Sequence, residues 1–194
     1  MDRVVASIGT VAITEHDVRE EYRIEQFLGT GRAPTGTASA SALKTARSRL
    51  LDQMLLEDES RAYPVNATAI HSAASKQMAD LRAKFKSERE FQSALRAAGV
   101  TQQQLMARFE REQRILAVIN TRLRPTATVS DKEISDYYEK TFLPQTERLR
   151  KEAPPLSAVR GQIREILVQE KINTLLNKWI KRLRTERRVR LYAE

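Results

Sequence analysis

Residues 4–14 read VVASIGTVAIT, and residues 189–192, near the other end of the chain, read VRLY. In the first stretch β-branched residues flank Gly9-Thr10, a pattern typical of a short β-hairpin. The second stretch alternates apolar and basic residues, which predicts a terminal strand. Because a lone three-residue strand is not stable in water, its expected partner is the hairpin. This pairing would close the fold by bringing the two ends of the chain together.

The sequence between these stretches predicts helices, because apolar residues recur every three to four positions. Capping boxes are expected at Thr14, Ser87, Thr101 and Ser130, each with an acidic or amide side chain three residues later. The predicted helices cover 15–28, 42–63, 67–86, a short segment from 88 to Gly99, 102 to Pro125, a segment after Ser130, and 156–184. The expected core faces of the two longest are Leu105, Phe109, Leu116, Ile119 and Leu123, and then Val159, Ile163, Ile166, Leu167, Ile172, Leu176, Trp179, Ile180 and Leu183.

The composition agrees with a mainly α fold that carries a small antiparallel sheet, formed by the N-terminal hairpin and the C-terminal strand. Of 194 residues only 6 are Gly and 6 are Pro, 6% are aromatic and 30% are charged, which disfavours a β-sandwich or barrel. We expect one module over 1–194: a hairpin and helices in 1–143, a polar linker in 144–155, and a closing helix and strand in 156–194. No apolar run is long enough to cross a bilayer.

The chain has a formal net charge of +9, which favours acidic partners such as nucleic acid, anionic lipid or acidic polypeptide. Seven cations cluster near its end: Lys178, Lys181, Arg182, Arg184, Arg187, Arg188 and Arg190. Together with Trp179 and Tyr192 they offer an alternative function, a nucleic-acid-binding helical protein. Against it, Trp179 lies on an apolar stripe, and the helical cations complement the helix dipole. Nucleic acid is therefore not the expected partner.

No pattern of catalytic or metal-binding residues is present, so we expect no enzyme activity, no metal and no cofactor. The chain has no cysteine. Its two histidines, His16 and His71, lack neighbours at ligand spacing and are expected to be solvated helix residues. The Gly-rich stretch 29–41 contains no Lys and follows a helix, so it is predicted to be a surface loop and not a phosphate-binding loop.

The pattern as a whole resembles the chaperone module of SurA-like and PrsA-like extracytoplasmic foldases. The segments that carry the resemblance are VVASIGTVAITEHDV (4–18), ALKTARSRLLDQMLLEDESRAYP (42–64), FQSALRAAGVTQQQLMARFEREQRILAVINTRL (91–123), VSDKEISDYYEKTF (129–142) and AVRGQIREILVQEKINTLLNKWIKRLRTERRVRLY (158–192). Their order is more specific than any one of them. In that family a parvulin-type prolyl isomerase domain usually follows the Tyr-Tyr helix. Here only Pro144 to Pro155 separates that helix from the closing one, and no histidine follows His71.

The resemblance implies an ATP-independent holdase without isomerase activity, which binds unfolded client polypeptides and acts in outer membrane protein biogenesis. It implies the periplasm or cell envelope, with an export signal removed from the chain shown. Flexible Met and aromatic side chains suit weak binding of apolar segments. The candidate client-binding residues are Met54, Met78, Phe85, Phe91, Met106 and Phe109. For each of these residues, the competing interpretation is that it packs in the hydrophobic core.

Two further interpretations stay open at the level of the sequence. A structural adaptor could pair with a partner through the long closing helix. The polar, proline-containing linker beside that helix also allows helix or strand exchange between copies, and so a homodimer.

Overall fold

A small antiparallel sheet joins the two ends of the chain, as the sequence predicts. The computed structural model describes residues 2–149 and 152–192, with strands β1 (Val4–Ile8), β2 (Val11–Thr14) and β3 (Val189–Leu191) in the order β2-β1-β3. Gly9 has φ +57° and Thr10 a negative φ, the signature of a type II′ turn, so a residue without Cβ is required at Gly9. In the register Ile8 faces Val11 and Val189, and the hairpin prediction is confirmed.

Helices make up most of the remaining chain. They are α1 (Glu15–Thr30), α2 (Ala40–Ser60), α3 (Ala67–Arg82), α4 (Glu88–Ala98), α5 (Gln102–Arg122), α6 (Asp131–Tyr137), α7 (Leu143–Arg148) and α8 (Leu156–Glu186). α3 ends four residues before the predicted Lys86, because tight turns at Lys84 and Phe85 lead into the cap of α4. α2 ends before Ala62, which is exposed and not part of its apolar face.

The predicted helix starts are confirmed, and three of the four capping boxes are complete. The hydroxyls of Thr14, Thr101 and Ser130 accept a hydrogen bond from the backbone N–H three residues later, and the side chain there accepts from the capping residue's own N–H. At Ser87 only half of the box forms. The carboxylate of Glu90 accepts from the backbone N–H of Lys86, at 2.9 Å, one residue before the cap.

The chain divides into two compact units. Unit 1 comprises Met1–Val118 and Ile180–Glu194, and unit 2 comprises Ile119–Trp179. In unit 1, one buried cluster is built around Phe27, Phe91 and Phe109, and another joins the sheet to α1 and α2 through Ala6, Ile13, Val18, Ala46 and Leu51. In unit 2, Ile134, Val159 and Ile163 pack together. The Arg122 guanidinium lies 4.3 Å from the ring centroid of the buried Trp179.

The prediction of the α5 core face is wrong at one position. Leu116 is 48% exposed, while Val118 is buried. Leu116 lies seven residues after Phe109 and within about 20° of it around the helix, so both are on one face, and the neighbours that cover this face at Phe109 do not cover it at Leu116.

The prediction for α8 is wrong at Ile166, which is 42% exposed. In α8, Ile172 is buried nine residues after Ile163, about two and a half turns later, so the two halves of the helix bury opposite faces. Ile166 lies between those faces.

Part of the expected linker 144–155 is helical. Residues Tyr138–Phe142 form a π-helical turn that leads directly into α7, so Pro144 begins a helix and does not end one. Pro144 has no N–H to donate, so it interrupts the hydrogen bonds of this continuous helical stretch, and the π-helical turn lies just before that interruption. Residues 150 and 151 of the expected linker lie outside the described residues.

Across the described ranges, no helix combines the length and the apolar character that a bilayer crossing requires.

Candidate functional site

Five of the six predicted client-binding residues belong to one hydrophobic core. Met78, Phe91 and Phe109 are at most 5% exposed, and Phe85 and Met106 pack half-buried against them. The ring centroids of Phe85 and Phe91 lie 5.2 Å apart, and Phe85 also stacks on Phe27. Met78, Phe91 and Phe109 are therefore core residues in this structure. The apolar helix faces that carry them pack against one another.

Met54 packs half-buried against the other core cluster of unit 1, and it also lines an open groove there. Three adjoining cavities of about 390, 470 and 480 Å³ follow α2, and we call them together the α2 groove. The first lies beside the hairpin turn, the second between β2, α1 and α5, and the third between α3 and α5. Met54 and Glu57 line both the first and the second cavity, and Glu57 and Arg111 line both the second and the third.

The middle cavity of the α2 groove combines an apolar floor with a charged rim. Its apolar side chains include Ile13, Ile24, Leu50 and Met54. Its charged side chains are Asp17, Glu20, Glu21, Glu57, Arg108 and Arg111. The floor of the cavity can contact apolar side chains of a ligand while the charged rim stays in contact with water. Carboxylates outnumber guanidinium groups in this lining.

A buried polar network forms one wall of this cavity. Arg108 of α5 donates to the carboxylate of Glu21 in α1, and its Nη1 donates to Oε1 of Gln53 in α2 at 2.7 Å. Gln53 Nε2 donates to the same Glu21 oxygen at 3.0 Å, and Arg108 Nε donates to Glu112 at 2.5 Å. Glu21 and Arg108 have side chains only 5% and 11% exposed. The network therefore fixes three helices around the groove.

Attraction between the opposite charges of this network offsets the cost of burying them. Burial alone would lower the pKa of Arg108, but hydrogen bonds and charge attraction from Glu21 and then Glu112 outweigh it, and the pKa lies above the ordinary arginine value. Nearby, Arg111 Nε lies 2.7 Å from Glu57 Oε2, where the middle and third cavities meet. The paired carboxylates of Glu21 and Glu57 leave Asp17 and Glu20 as the acidic groups of the rim that have no arginine partner from α5.

The basic residues near the chain end stabilise the fold in part. Arg184 Nε donates to Asp52 of α2 at 2.7 Å, and its Nη2 donates to Ser48 Oγ at 2.9 Å. The Arg187 guanidinium lies 3.1 Å from Asp58. Trp179 is only 5% exposed, and the Tyr192 hydroxyl lies 3.1 Å from Ser7 Oγ in a hydrogen bond across the sheet. These contacts engage Arg184, Arg187 and Trp179 within the fold. Basic side chains also remain on the surface at this end of the chain, namely Lys178, Lys181, Arg182, Arg188 and Arg190, and Tyr192 is 42% exposed.

Both histidines lie on the surface of unit 1, as expected. The side chains of His16 and His71 are 65% and 66% exposed. His16 Nε2 lies 3.8 Å from Glu20 in the next turn of α1, and His71 Nδ1 lies 2.7 Å from Oε1 of Glu110 in α5. Each histidine therefore has a single carboxylate neighbour of the kind found on ordinary helix surfaces.

The groove itself was not predicted from the sequence. Its network depends on Glu21 and Arg108, which are charged residues placed on otherwise apolar helix faces, beside Val18 and Ile24 in α1 and beside Leu105 and Phe109 in α5. A charged residue at a position where the helical pattern expects an apolar one could have indicated a buried polar network. Its partner on another helix cannot be predicted from the spacing of residues along one helix.

No protein-family model matches the chain, and no curated protein matches it significantly.

Proposed function

We propose that the protein is an ATP-independent holdase of the periplasm or cell envelope, which binds unfolded polypeptides in the α2 groove and has no prolyl isomerase activity. The observation that carries this proposal is the groove itself, three adjoining cavities that share Glu57, with Met54 between the first two. The order of the sequence segments that resemble SurA-like and PrsA-like chaperones supports the same function.

The dimensions and lining of the α2 groove suit a chain-like ligand. A site for a small molecule usually encloses most of its ligand in one pocket, whereas this groove runs from the hairpin turn past α2 to α3. Methionine adapts its shape to different partners at low cost, so Met54 can contact many apolar side chains. The charged rim limits the apolar area, which favours weak and reversible binding.

The test is suppression of aggregation. A chemically unfolded protein is diluted into buffer with increasing amounts of the purified chain, and light scattering is recorded without nucleotide. We expect scattering to fall, and the protection to change only mildly between 50 and 200 mM salt. In Met54→Gln, which keeps the side-chain length but makes the floor polar, we expect about threefold more protein to be needed for the same protection.

Met106→Gln is the matched control, because Met106 is also half-buried but lines a separate cleft between α3 and α5, beside Arg82 and Gln102 and outside the α2 groove. We expect its protection to equal that of the wild type. No suppression by the wild type would contradict the proposed function. Tight binding of single-stranded nucleic acid that weakens steeply between 50 and 200 mM salt would instead favour the alternative function.

A further inference from the structure

We propose that the α2 groove binds its client as an added β-strand, paired antiparallel or parallel with the free edge of β2, and that it prefers segments in which apolar and basic residues alternate. This inference rests on the proposed holdase function and names how the client is held. In strand addition, main-chain hydrogen bonds supply affinity for any sequence, and pockets for alternate side chains supply preference.

The register of the sheet determines which backbone groups face the free edge. β2 has β1 on one side only, and Ile8 and Val11 close a two-residue hairpin, so they exchange hydrogen bonds with each other. The backbone N–H of Tyr192 donates to the carbonyl of Val5, which places Val5 and Ser7 toward β3 and Ala6 and Ile8 toward β2. By alternation, the N–H and C=O of Ala12 point away from β1.

The free edge of β2 lies at the groove. Ala12 and Ile13 both line the middle cavity, and Ala12 is exposed. Among the described residues, the edge ends at Thr14, whose N–H donates to Asp17 at 2.8 Å. One donor and one acceptor of Ala12 are therefore available beside the apolar floor, enough for a short, weakly bound guest strand.

The two edges of the sheet differ in their protection against pairing. Natural edge strands are commonly blunted by charged residues, proline or short length. β3 is three residues long and carries Arg190, while β2 reads VAIT and carries neither a charge nor a proline. The edge beside the groove is thus the one suited to accept another strand.

The lining of the groove favours a particular guest. Guest side chains on the Ile13 side would lie against Ile24, Leu50 and Met54, and therefore favour apolar residues. The intervening positions lie near the rim, where Asp17 and Glu20 add negative charge. A segment that alternates apolar and basic residues fits both requirements.

The test uses a fluorescein-labelled hexapeptide that alternates valine and arginine, with binding followed by fluorescence anisotropy. The variant is Ala12→Pro. Proline removes the outward N–H of Ala12 and leaves the β1–β2 ladder intact, because proline is tolerated where the N–H of an edge strand faces solvent. Leu191→Pro, which places the same residue on the opposite edge of the sheet and outside the α2 groove, is the matched control. We expect Ala12→Pro to bind at least about tenfold more weakly and Leu191→Pro to bind like the wild type.

Two further peptides keep the proposal testable if Ala12→Pro does not fold. With the wild-type protein, N-methylation of all the peptide amides, which blocks both edges of the guest strand, should abolish binding, and replacement of arginine by glutamate should weaken it at least about tenfold. Equal binding of the methylated peptide, or unchanged binding by a folded Ala12→Pro, would overturn strand addition. If the wild type still suppresses aggregation in that case, the holdase proposal stands and only the strand mechanism falls.

Discussion

At the scale of single residues, the groove depends on a charge pair that burial makes sensitive to substitution. Glu21 and Arg108 are among the least exposed charged side chains of unit 1, and Gln53 and Glu112 complete their hydrogen bonds. Removing one member of a buried pair leaves the other charge without a partner, which typically costs about 3–5 kcal/mol. Exposed pairs are worth about 0–1 kcal/mol.

We therefore expect Arg108→Met to lower the free energy of unfolding by about 3 kcal/mol, because Glu21 would stay buried without its cation. Urea unfolding followed by circular dichroism measures this loss. Arg19→Met is the matched control, since Arg19 pairs with Glu15 on the exposed face of α1 and its loss should cost under about 1 kcal/mol. Equal, small losses in both variants would show that the network contributes nothing beyond a surface pair.

The residue scale also shows which site residues the sequence could predict. The apolar stripes correctly grouped Met78, Phe91 and Phe109, but a stripe records that a face is apolar and not whether another helix covers it. Met54 belongs to an equally ordinary stripe and yet lies in the groove. The difference arises from packing between helices, which no spacing along one helix encodes.

At the scale of elements, the start of α6 combines a complete capping box with an ion pair. The Glu133 carboxylate accepts from the Ser130 backbone N–H at 2.8 Å and lies 2.6 Å from Lys171 Nζ. The hydrogen bond from Lys171, followed by those from Ser130, lowers the pKa of Glu133 to about 2 from its ordinary 4.5. A lowered pKa means that the folded state favours the ionised carboxylate, so the stabilisation is present above pH 4.5 and is lost as the pH falls toward 2.

We expect Glu133→Gln to lower the midpoint of thermal unfolding at pH 7, and this difference from the wild type to shrink between pH 4.5 and 2. Thermal unfolding by circular dichroism at several pH values measures it. Glu147→Gln serves as control, because Glu147 is an exposed residue of α7 outside this cap, and its midpoint should follow the wild type. A difference that stays constant down to pH 2 would refute the role of the ionised carboxylate.

Elements with local signals were predicted best. A capping box is complete within four residues, so Thr14, Thr101 and Ser130 indicated real helix starts. α8 shows the opposite case, because its two halves bury opposite faces and one apolar stripe drawn along the sequence cannot follow the change at Ile166. That change is set by neighbours distant in the sequence.

At the scale of the whole molecule, the C-terminal strand completes the sheet. Ser7 and Arg190 face each other in the register of β1 and β3, and the N–H of Arg190 points toward β1 in the same way as that of Tyr192. By alternation the N–H of Leu191 points away from the sheet. Substitution by proline should therefore affect stability differently at Arg190 and at Leu191.

We expect Arg190→Pro to lower the free energy of unfolding by about 1–3 kcal/mol, since it removes a ladder hydrogen bond and disrupts β3. Leu191→Pro is the matched control and should cost less than Arg190→Pro, because its N–H is outside the ladder and its side chain is 57% exposed. Chemical denaturation with both variants measures the difference. Equal losses would contradict the register of the closing strand.

The pairing of β1 with β3 also dictates the order in which a newly made chain can fold. Every helix lies between β1 and β3 in the chain, so β1 has only its hairpin partner until the ribosome has made all of these helices. Domains that are continuous in sequence can fold while translation proceeds, but unit 1 is interrupted by Ile119–Trp179. Unit 1 can therefore be completed only after the whole of unit 2 has been synthesised.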